Sequence, residues 1–440
     1  MKRAVRLMIV VFIIALFAAC APIPPSAENA APDAADNMAD DVATLVYYGS
    51  FGGLIENETE VAQSCADQIG INLEVAEVAG GVAELMTELR ALNTAGDMPD
   101  VFWMSSGFVD EFAADGLLLN MQPLVDENIN PDDYFAAAFA AGRSPNKVDS
   151  DMYAFPLRFV ETILYYNIDA FDAAGVDYPT ADWTWDDFLT AAQALTFDEN
   201  GDGLMDQYGY YFFGRYAHIE SWVYQNGGRF LNEDRTAFEP DANALEALMF
   251  LDSLIDDHGV APQPAEMDGI DNPFGAGIAA MWIDGSWNIG NFPDLNIEVA
   301  QVPSGPNGDG DTAYGWSDMV SISADTDHPV ESFALVQCLS ENWTADMAGG
   351  GIPAFRTTAF SDAWAKPDQA PPTRTVLLDW ADNVGPTTFT PGWGEWRGYV
   401  GGAGLQGQLG EAFNGNITIE EAVDATSTVA NDVLNRYYGE

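Results

Sequence analysis

The chain has 440 residues, which is longer than a single hydrophobic core usually organises, so two domains are expected. Apolar residues make up 48% of the sequence, as in a globular protein. The formal net charge of -54 argues against nucleic acid and anionic lipid surfaces as partners, because an acidic surface repels them. The acidic residues are scattered rather than blocked, which indicates a solvated acidic surface.

The N-terminus has the pattern of a targeting segment. Basic residues open the chain, and the apolar stretch Leu7–Ala19 that follows is too short to span a bilayer comfortably. Residues 1–19 are therefore predicted to be a signal peptide. The stretch Leu16–Cys20 resembles a bacterial lipobox, with Phe17 where leucine is usual. This implies cleavage before Cys20 and lipid on its thiol; the alternative is an ordinary secretory peptide with an incidental cysteine.

Residues 20–41 are predicted to be a flexible linker. This stretch is rich in Ala, Pro and Asp and lacks aromatic residues. Two cysteines remain in the exported part, Cys65 and Cys338, and the sequence leaves open whether they pair or stay as two buried thiols. No spacing among the cysteines and histidines resembles a zinc site.

The first folded segments alternate between strand and helix patterns. The stretch Leu85–Leu92 carries apolar residues at helical spacing, and Ile71, Leu73 and Val75 alternate as in a strand. The expected order is strand, helix, strand, helix, strand. The first strand and the Gly-containing loop after it lie in 44–53, and the later elements lie at 61–69, 71–75, 85–92 and 99–103. This order predicts a mostly parallel sheet with helices on both faces.

An acidic loop at residues 198–206 has the spacing of a calcium-binding loop. Oxygen ligands at alternate positions wrap a hard cation, and Gly203 permits the sharp turn. The complete motif ends in a glutamate, but Gly209 occupies that place. A structural Ca²⁺ is the expected cofactor, and an acidic turn without metal is the alternative. The proposed ligands are Asp198, Asn200, Asp202 and Asp206 by side chain and Leu204 by its carbonyl.

The stretch Asn272–Phe292 combines a strand, a turn and two tryptophans. Ala279–Ile283 is short and apolar, as in a buried strand, and Asp284–Ser286 is a turn signal. Trp282 and Trp287 flank that turn. Ligands of open α/β sheets bind where strands end, so an aromatic residue here is placed to face a cleft. The alternative is that both tryptophans belong to the core.

This stretch also carries a family resemblance. Its pattern, Phe274-x-x-Gly277-x-x-Ala280-Met281-x-Ile283-Asp284-Gly285-Ser286-Trp287, resembles a hallmark of the maltose-binding-protein-like extracellular solute-binding proteins. These proteins capture substrates for sugar ABC importers. Further similar landmarks follow one another through residues 44–440, at 99–121, 153–167, 220–228 and 352–356.

The resemblance implies an α/β fold of the periplasmic-binding-protein type, with two lobes and a ligand cleft between them. Lobe 1 would contain residues 42–159 and 304–365, and lobe 2 would contain residues 165–302 and 370–440. The segment Tyr153–Asn167 would be the first crossing between the lobes.

Sugar rings present C–H faces to aromatic planes and hydroxyl groups to charged and amide side chains. Tryptophans near Gly-rich turns, together with positions similar to those of the family, give the expected ligand-binding set. For Arg158 and Glu161 a surface salt bridge is the alternative. The set comprises Trp103, Ser105, Arg158, Glu161, Trp222, Trp282, Asp284, Trp287, Trp316, Trp393, Trp396 and Arg397.

The resulting hypothesis is a non-enzymatic, monomeric binding protein. It would bind an extracellular mono- to oligosaccharide and deliver it to the membrane permease subunits of an ABC importer. A lipid anchor would be its only contact with the bacterial cell membrane, at the cell surface or in the periplasm. Two alternatives come from other classes: a secreted glycoside-active enzyme with paired carboxylates, and a calcium-dependent surface adhesin.

Overall fold

One long mixed sheet organises the protein, which we describe from a computed structural model. The structure describes residues 42–49, 55–76, 80–145, 150–203, 205–212, 216–270, 272–308, 314–344, 351–366, 375, 377–381, 389–398 and 404–439. The predicted signal peptide 1–19, the linker 20–41 with Cys20, and Leu204 lie outside the described residues.

The strands of the described chain fall mostly in this one sheet, and Arg143–Ser144 and Asp151–Met152 form a separate hairpin. Their bounds are β1 Thr44–Tyr48, β2 Asn72–Ala76, β3 Val101–Ser105, β4 Arg143–Ser144, β5 Asp151–Met152, β6 Ala154–Asn167, β7 Tyr208–Tyr211, β8 Ala279–Gly285, β9 Ile297–Ala300, β10 Gly315–Ile322 and β11 Ile352–Pro353.

The helices surround the sheet. Their bounds are α1 Ile55–Ile69, α2 Val82–Ala95, α3 Val109–Ala114, α4 Gln122–Asn128, α5 Ala136–Ala140, α6 Ile168–Ala174, α7 Trp185–Leu195, α8 Tyr216–Gln225, α9 Ala242–Asp256, α10 Pro329–Glu341, α11 Arg356–Ala359, α12 Asp362–Ala365, α13 Leu377–Trp380, α14 Trp393–Trp396, α15 Leu405–Phe413 and α16 Ile419–Tyr438. Short 3₁₀ turns lie at Ser106–Phe108, Pro131–Asp133, Pro264–Met267 and Ser286–Asn288. Within the described ranges, none of the helices combines the length and apolarity that crossing a membrane requires.

The predicted order of the first elements is confirmed, but the sheet as a whole is mixed rather than mostly parallel. Strand β1 pairs in parallel with β2 and with β3. Strand β10 is antiparallel to both β3 and β6, and β8 and β9 are antiparallel to β6. The expectation was wrong for these strands because β6 and β10 enter the sheet from later parts of the chain, beyond the initial β-α-β units.

Strand β6 connects the two ends of the sheet. Its first part, up to Glu161, pairs with β10, and its second part, from Thr162 onward, pairs with β8 and β9. The sheet order is β2-β1-β3-β10-β6-β8-β7. We call the point where β6 changes partners, Glu161 and Thr162, the sheet junction.

Local signals in the sequence explain several helices. In α2, Leu85, Met86 and Leu89 are buried, as their spacing predicts. Helices α7 and α16 begin at capping boxes, with Thr184 and Thr418 accepting from the backbone N–H three residues later. These side chains satisfy amide groups that a helix start otherwise leaves without partners.

The cysteines whose pairing the sequence left open, Cys65 and Cys338, form a disulfide. The Sγ atoms of Cys65 and Cys338 are 2.08 Å apart and their Cα atoms 5.8 Å apart, within the range for a disulfide. The bond joins α1 to α10, which also pack against each other. Of the two states that the sequence leaves open, the structure therefore contains the paired one.

Candidate functional site

Segments from distant parts of the chain meet at the sheet junction. Glu161 lies opposite Gly315 of β10, and the next residue, Thr162, lies opposite Gly285 of β8. The backbone N–H and the hydroxyl of Thr162 both donate to the carbonyl of Tyr314, at 2.8 Å and 2.9 Å. The junction therefore brings the start of β10 and the end of β8 to the middle of β6.

Glu161 is a buried carboxyl group without a protein partner among the described residues. Its exposed fraction is 0%, and neither carboxyl oxygen has a hydrogen-bond partner there. Burial raises the pKa of Glu161 well above its ordinary value of 4.5, because desolvation disfavours the charged form. A buried polar group without a partner is costly, so this position suits a ligand that supplies the missing hydrogen bonds.

The turn after β8 is fixed by Asp284, which is fully buried. Its Oδ1 accepts from the backbone N–H of Gly285 at 2.8 Å, and its Oδ2 accepts from the Asn288 amide at 3.1 Å. The Nε2 atom of His218 lies 3.5 Å from Oδ2. A Cβ atom at Gly285 would lie 1.6 Å from the Trp287 ring, so only glycine lets this ring lie over the turn.

A chain of aromatic rings lies at the junction. Trp287 and Trp316 have ring centroids 5.1 Å apart, and Tyr314 and Trp316 are 6.0 Å apart. Tyr224 of α8 stacks on Tyr314 with centroids 4.8 Å apart and planes 8° from parallel. We call Tyr224, Trp287, Tyr314 and Trp316 the junction aromatics. Trp287 and Tyr224 are only half-buried, so part of this aromatic surface is accessible.

A buried ion pair lies beside the junction aromatics. The Nη2 atom of Arg397 is 2.9 Å from Oε2 of Glu220, and both side chains are almost completely buried. Burial lowers the pKa of Arg397, but Glu220, Tyr314 and Tyr224 raise it, so the net shift is upward and the guanidinium stays charged. Burial raises the pKa of Glu220, with opposing effects from Arg397 and a Tyr314 hydrogen bond.

Trp393 connects the segment of Arg397 to the 3₁₀ turn after β3. Its ring meets that of Phe108 edge-on, with centroids 5.6 Å apart. A Cβ atom at Gly107 would lie 2.9 Å from the Trp393 ring, so glycine permits this close approach. The backbone N–H of Gly392 also donates to Oε2 of Glu111 in α3, at 3.1 Å. The Gly392–Arg397 segment therefore contacts both α3 and α8.

Ser105 and Arg158 lie on either side of Asp318 in one row across the sheet. Asp318 of β10 is opposite Ser105 of β3 and also opposite Arg158 of β6. The Nε atom of Arg158 donates to Oδ2 of Asp318 at 2.6 Å, and both side chains are mostly buried. Trp103 lies one pleat earlier in β3, opposite Val320, and is buried.

Three of the expected ligand-binding tryptophans lie in aromatic packing clusters. Trp222 packs against Trp185, Phe188, Tyr210 and Phe250, and its indole N–H donates to Tyr210 Oη at 3.0 Å. Trp282 packs against Tyr165, Phe274, Phe292 and His218. Trp396 packs against Phe238 and donates to Thr390 Oγ1 at 3.1 Å. All three rings are packed, and ligand binding by these tryptophans stays a prediction.

The acidic loop is held by its own backbone. Oδ1 and Oδ2 of Asp198 accept from the N–H groups of Gly201 and Gly203 at 2.6 Å and 2.8 Å. Oδ2 of Asp206 accepts from the N–H of Glu199 at 2.7 Å, and Oδ1 of Asn200 accepts from the N–H of Asp202 at 2.9 Å. In the described part of the chain, no group of three or more His, Cys, Asp or Glu side chains is arranged to hold a metal ion. Calcium binding at this loop stays a prediction.

Sequence reasoning missed Glu220, Tyr224 and Tyr314. The signal for the first two was helical spacing: Glu220 and Tyr224 are four residues apart on α8 and share a face, whereas Trp222 points to the other side. Tyr314 directly precedes the strand that carries Trp316.

Comparison with known proteins identifies the class. Residues 68–345 match the family described as bacterial extracellular solute-binding protein. A putative binding protein of Brucella abortus (strain 2308) is 27% identical over 312 residues, which cover 68% of this chain and 72% of the relative. The chain therefore belongs to the bacterial extracellular solute-binding protein family.

Solved structures share the fold of this chain. An ABC substrate-binding protein of Listeria monocytogenes, in complex with cycloalternan, has a TM-score of 0.74 and 24% identity, covering 91% of this chain and 100% of that chain. The sugar-binding protein MalE of Xanthomonas citri has a TM-score of 0.75 and 22% identity, covering 90% and 98%. At these identities the likeness shows the fold, which is the two-lobe periplasmic-binding-protein fold that the sequence predicts.

Proposed function

We propose that this protein captures a mono- to oligosaccharide outside the cytoplasm and delivers it to the permease subunits of an ABC importer. The observation that carries the proposal is Glu161, a buried carboxyl group without a described protein partner, at a junction lined by aromatic rings. The fold and the family agree with a binding protein, and solved proteins of similar fold are bound to cycloalternan or maltotriose.

The chemistry of the junction suits a sugar. The half-buried face of Trp287 offers an aromatic plane to the C–H face of a ring. Burial raises the pKa of Glu161 and so favours its protonated form, which can both donate and accept hydrogen bonds. The Glu220–Arg397 ion pair lies nearby. The proposed ligand contacts are Trp103, Ser105, Glu161, Trp287, Tyr314, Trp316, Trp393 and Arg397.

Ligand capture would involve two lobes. We assign residues 42–159 and 304–365 to lobe 1, and residues 165–302 and 370–440 to lobe 2. The change of partners along β6 at the sheet junction supports this division. The contact between Trp393 and the Gly107–Phe108 turn would then join the lobes around the ligand.

The protein would act as a monomer. It would also act without catalysis, because its class binds and releases its ligand unchanged.

It would be held at the bacterial cell membrane by lipid on Cys20, after removal of residues 1–19. Replacing Cys20 with alanine should move the protein into soluble fractions and abolish lipid labelling. If fractionation and labelling stay the same, the anchor proposal is wrong.

A thermal-shift screen over a carbohydrate library tests the main proposal. We expect a small set of saccharides to raise the melting temperature, because a ligand that binds the folded state stabilises it. Calorimetry should then give saturable binding, with the sugar recovered unchanged after long incubation. A library without any stabilising saccharide contradicts the sugar proposal, and recovery of shortened sugars would favour the enzyme alternative.

A further inference from the structure

Ser286 is a second buried polar side chain at the sheet junction. Its exposed fraction is 0%, and its hydroxyl group has no hydrogen-bond partner among the described residues. It begins the 3₁₀ turn after β8, and its carbonyl accepts from the backbone N–H of Ile289 at 3.1 Å. The turn therefore fixes the backbone of Ser286 without using its hydroxyl group.

The strand register places Ser286 beside Glu161. Ile163 of β6 lies opposite Asp284 of β8, and the two strands are antiparallel. Two residues before Ile163 is Glu161, and two residues after Asp284 is Ser286, so these two are the next residues on the same face of the sheet. The backbone of Gly285 is extended, with φ -68° and ψ 152°, which carries the strand direction on to Ser286.

The two side chains share a face but do not bond to each other. Neither the Glu161 carboxyl nor the Ser286 hydroxyl has a hydrogen-bond partner in the described part of the chain. Opposing residues in antiparallel strands have Cβ atoms about 4.5–5.5 Å apart, so one oxygen atom between the side chains can reach both. On the other side of Glu161, the opposing residue is Gly315, which contributes no side chain to this row.

We propose that Glu161 and Ser286 bind the same hydroxyl group of the sugar, which makes Ser286 a specificity-determining residue. This inference rests on the proposed function. The Ser286 hydroxyl would donate to the sugar oxygen, and the sugar hydroxyl would donate to a carboxyl oxygen of Glu161. A site built to hydrogen-bond a hydroxyl group rejects a ligand that lacks it, because the buried polar groups then stay unpaired. The pair therefore selects a sugar with a hydroxyl group at one position and in one orientation.

The test repeats the carbohydrate screen on the unmodified protein, Ser286→Ala and Ser332→Ala, with D-glucose, D-galactose, D-mannose, maltose, cellobiose and maltotriose among its probes. Ser332 is a matched control: it is also fully buried and without a partner among the described residues, but it lies on α10. For each probe that stabilises the unmodified protein, calorimetry should show about tenfold weaker binding to Ser286→Ala and unchanged binding to Ser332→Ala.

The outcomes separate this inference from the proposed function. A saccharide that binds the unmodified protein and Ser286→Ala with equal affinity overturns the role of Ser286 and leaves the sugar proposal intact. A screen in which no saccharide stabilises the unmodified protein contradicts the sugar proposal, and this inference falls with it.

Melting temperatures without sugar separate a binding role from a structural one. Ser286→Ala removes no described hydrogen bond, so its melting temperature should stay close to that of the unmodified protein. Ser340→Ala should lower it, because the buried Ser340 hydroxyl donates to the carbonyl of Pro156 at 2.5 Å. A lowered melting temperature in Ser286→Ala, together with unchanged sugar affinity, would show a structural role and overturn the proposal.

A double-mutant cycle tests whether one hydroxyl group is shared. Glu161→Met keeps a straight side chain of similar length but removes the hydrogen-bonding atoms. If both residues bind one hydroxyl group, the double variant with Ser286→Ala should bind more tightly than the product of the two single losses predicts. Strict additivity would assign the residues to separate groups of the sugar and contradict the shared contact. Ser286→Ala alone remains informative if Glu161→Met fails to fold.

Discussion

Two aromatic regions of this protein use the same residue types in opposite ways. Around Trp222, rings from α7, α8, α9 and β7 pack on one another, and the indole N–H donates to Tyr210. Around Trp287, the rings are partly accessible, and the nearby Glu161 carboxyl has no described protein partner. From this comparison we expect unsatisfied polar groups beside accessible rings to indicate a binding site better than the rings alone.

The largest expected effect is on stability, in the Trp222 region. Trp222→Ala should lower the free energy of unfolding by about 3–5 kcal/mol, because the ring is fully buried and a cavity would remain. Urea denaturation followed by circular dichroism measures this change, and Trp222→Phe serves as the milder control. A Trp222→Ala variant of normal stability that no longer binds sugar would show that Trp222 contacts the ligand rather than stabilising the fold.

Breaking the Glu220–Arg397 ion pair should lower the free energy of unfolding by a similar amount, but here a second substitution should restore part of the loss. Arg397→Met alone should destabilise the protein by about 3–5 kcal/mol, because it leaves Glu220 buried without its counter-ion. The double variant Glu220→Gln with Arg397→Met should recover part of this loss. Unfolding free energies of the two single variants and the double variant form a double-mutant cycle. Strict additivity would contradict the pairing.

Glu161 should make stability fall as pH rises. Its pKa is raised in the folded protein, so the folded state keeps a proton that the unfolded state loses above about pH 4.5. The free energy of unfolding should keep falling as the pH rises towards the pKa of Glu161 in the folded protein, by at most about 1.4 kcal/mol for each pH unit.

Unfolding free energies at about pH 5 and about pH 8 measure this slope. The matched Glu161→Gln variant keeps the shape of the side chain and removes the titration, so its slope should be smaller. Identical slopes in the two proteins would show that Glu161 is not a protonated buried group.

The smallest effect concerns the acidic loop. Calcium should raise the melting temperature by mass action if residues 198–206 bind it, and Asp202→Ala should abolish that rise. Thermal melts with calcium and with a chelator measure the difference. If the two conditions give the same melting temperature for the unmodified protein, the loop is an acidic turn without metal.

Much of the fold could be predicted from local patterns. The stripe of α2, the capping boxes at Thr184 and Thr418 and the parallel order of β1, β2 and β3 follow from spacing and end signals. The antiparallel pairing of β10 could not be predicted in this way, because it depends on contacts between distant segments. The Cys65–Cys338 bond is a similar case, since its partners are 273 residues apart.

The site was only partly predictable. Trp287, Trp316 and Glu161 lie at the junction, at positions that strand ends and the family pattern indicated. Trp222 was predicted as a ligand contact from its ring and its family-like position, whereas the side of α8 that faces the junction carries Glu220 and Tyr224. Sequence alone does not fix which face of an amphipathic, aromatic-rich helix meets the core, so ligand contact by Trp222 stays a prediction.

Calorimetric titration of Trp287→Ala with a saccharide found by the screen tests the central claim most directly. We predict that the variant folds with nearly unchanged stability and loses about 1–3 kcal/mol of binding free energy, about tenfold or more in affinity. Unchanged affinity in the folded variant would remove Trp287 from the site. If folded alanine variants of Trp316 and Trp393 also bound normally, the assignment of a sugar site to the sheet junction would be contradicted.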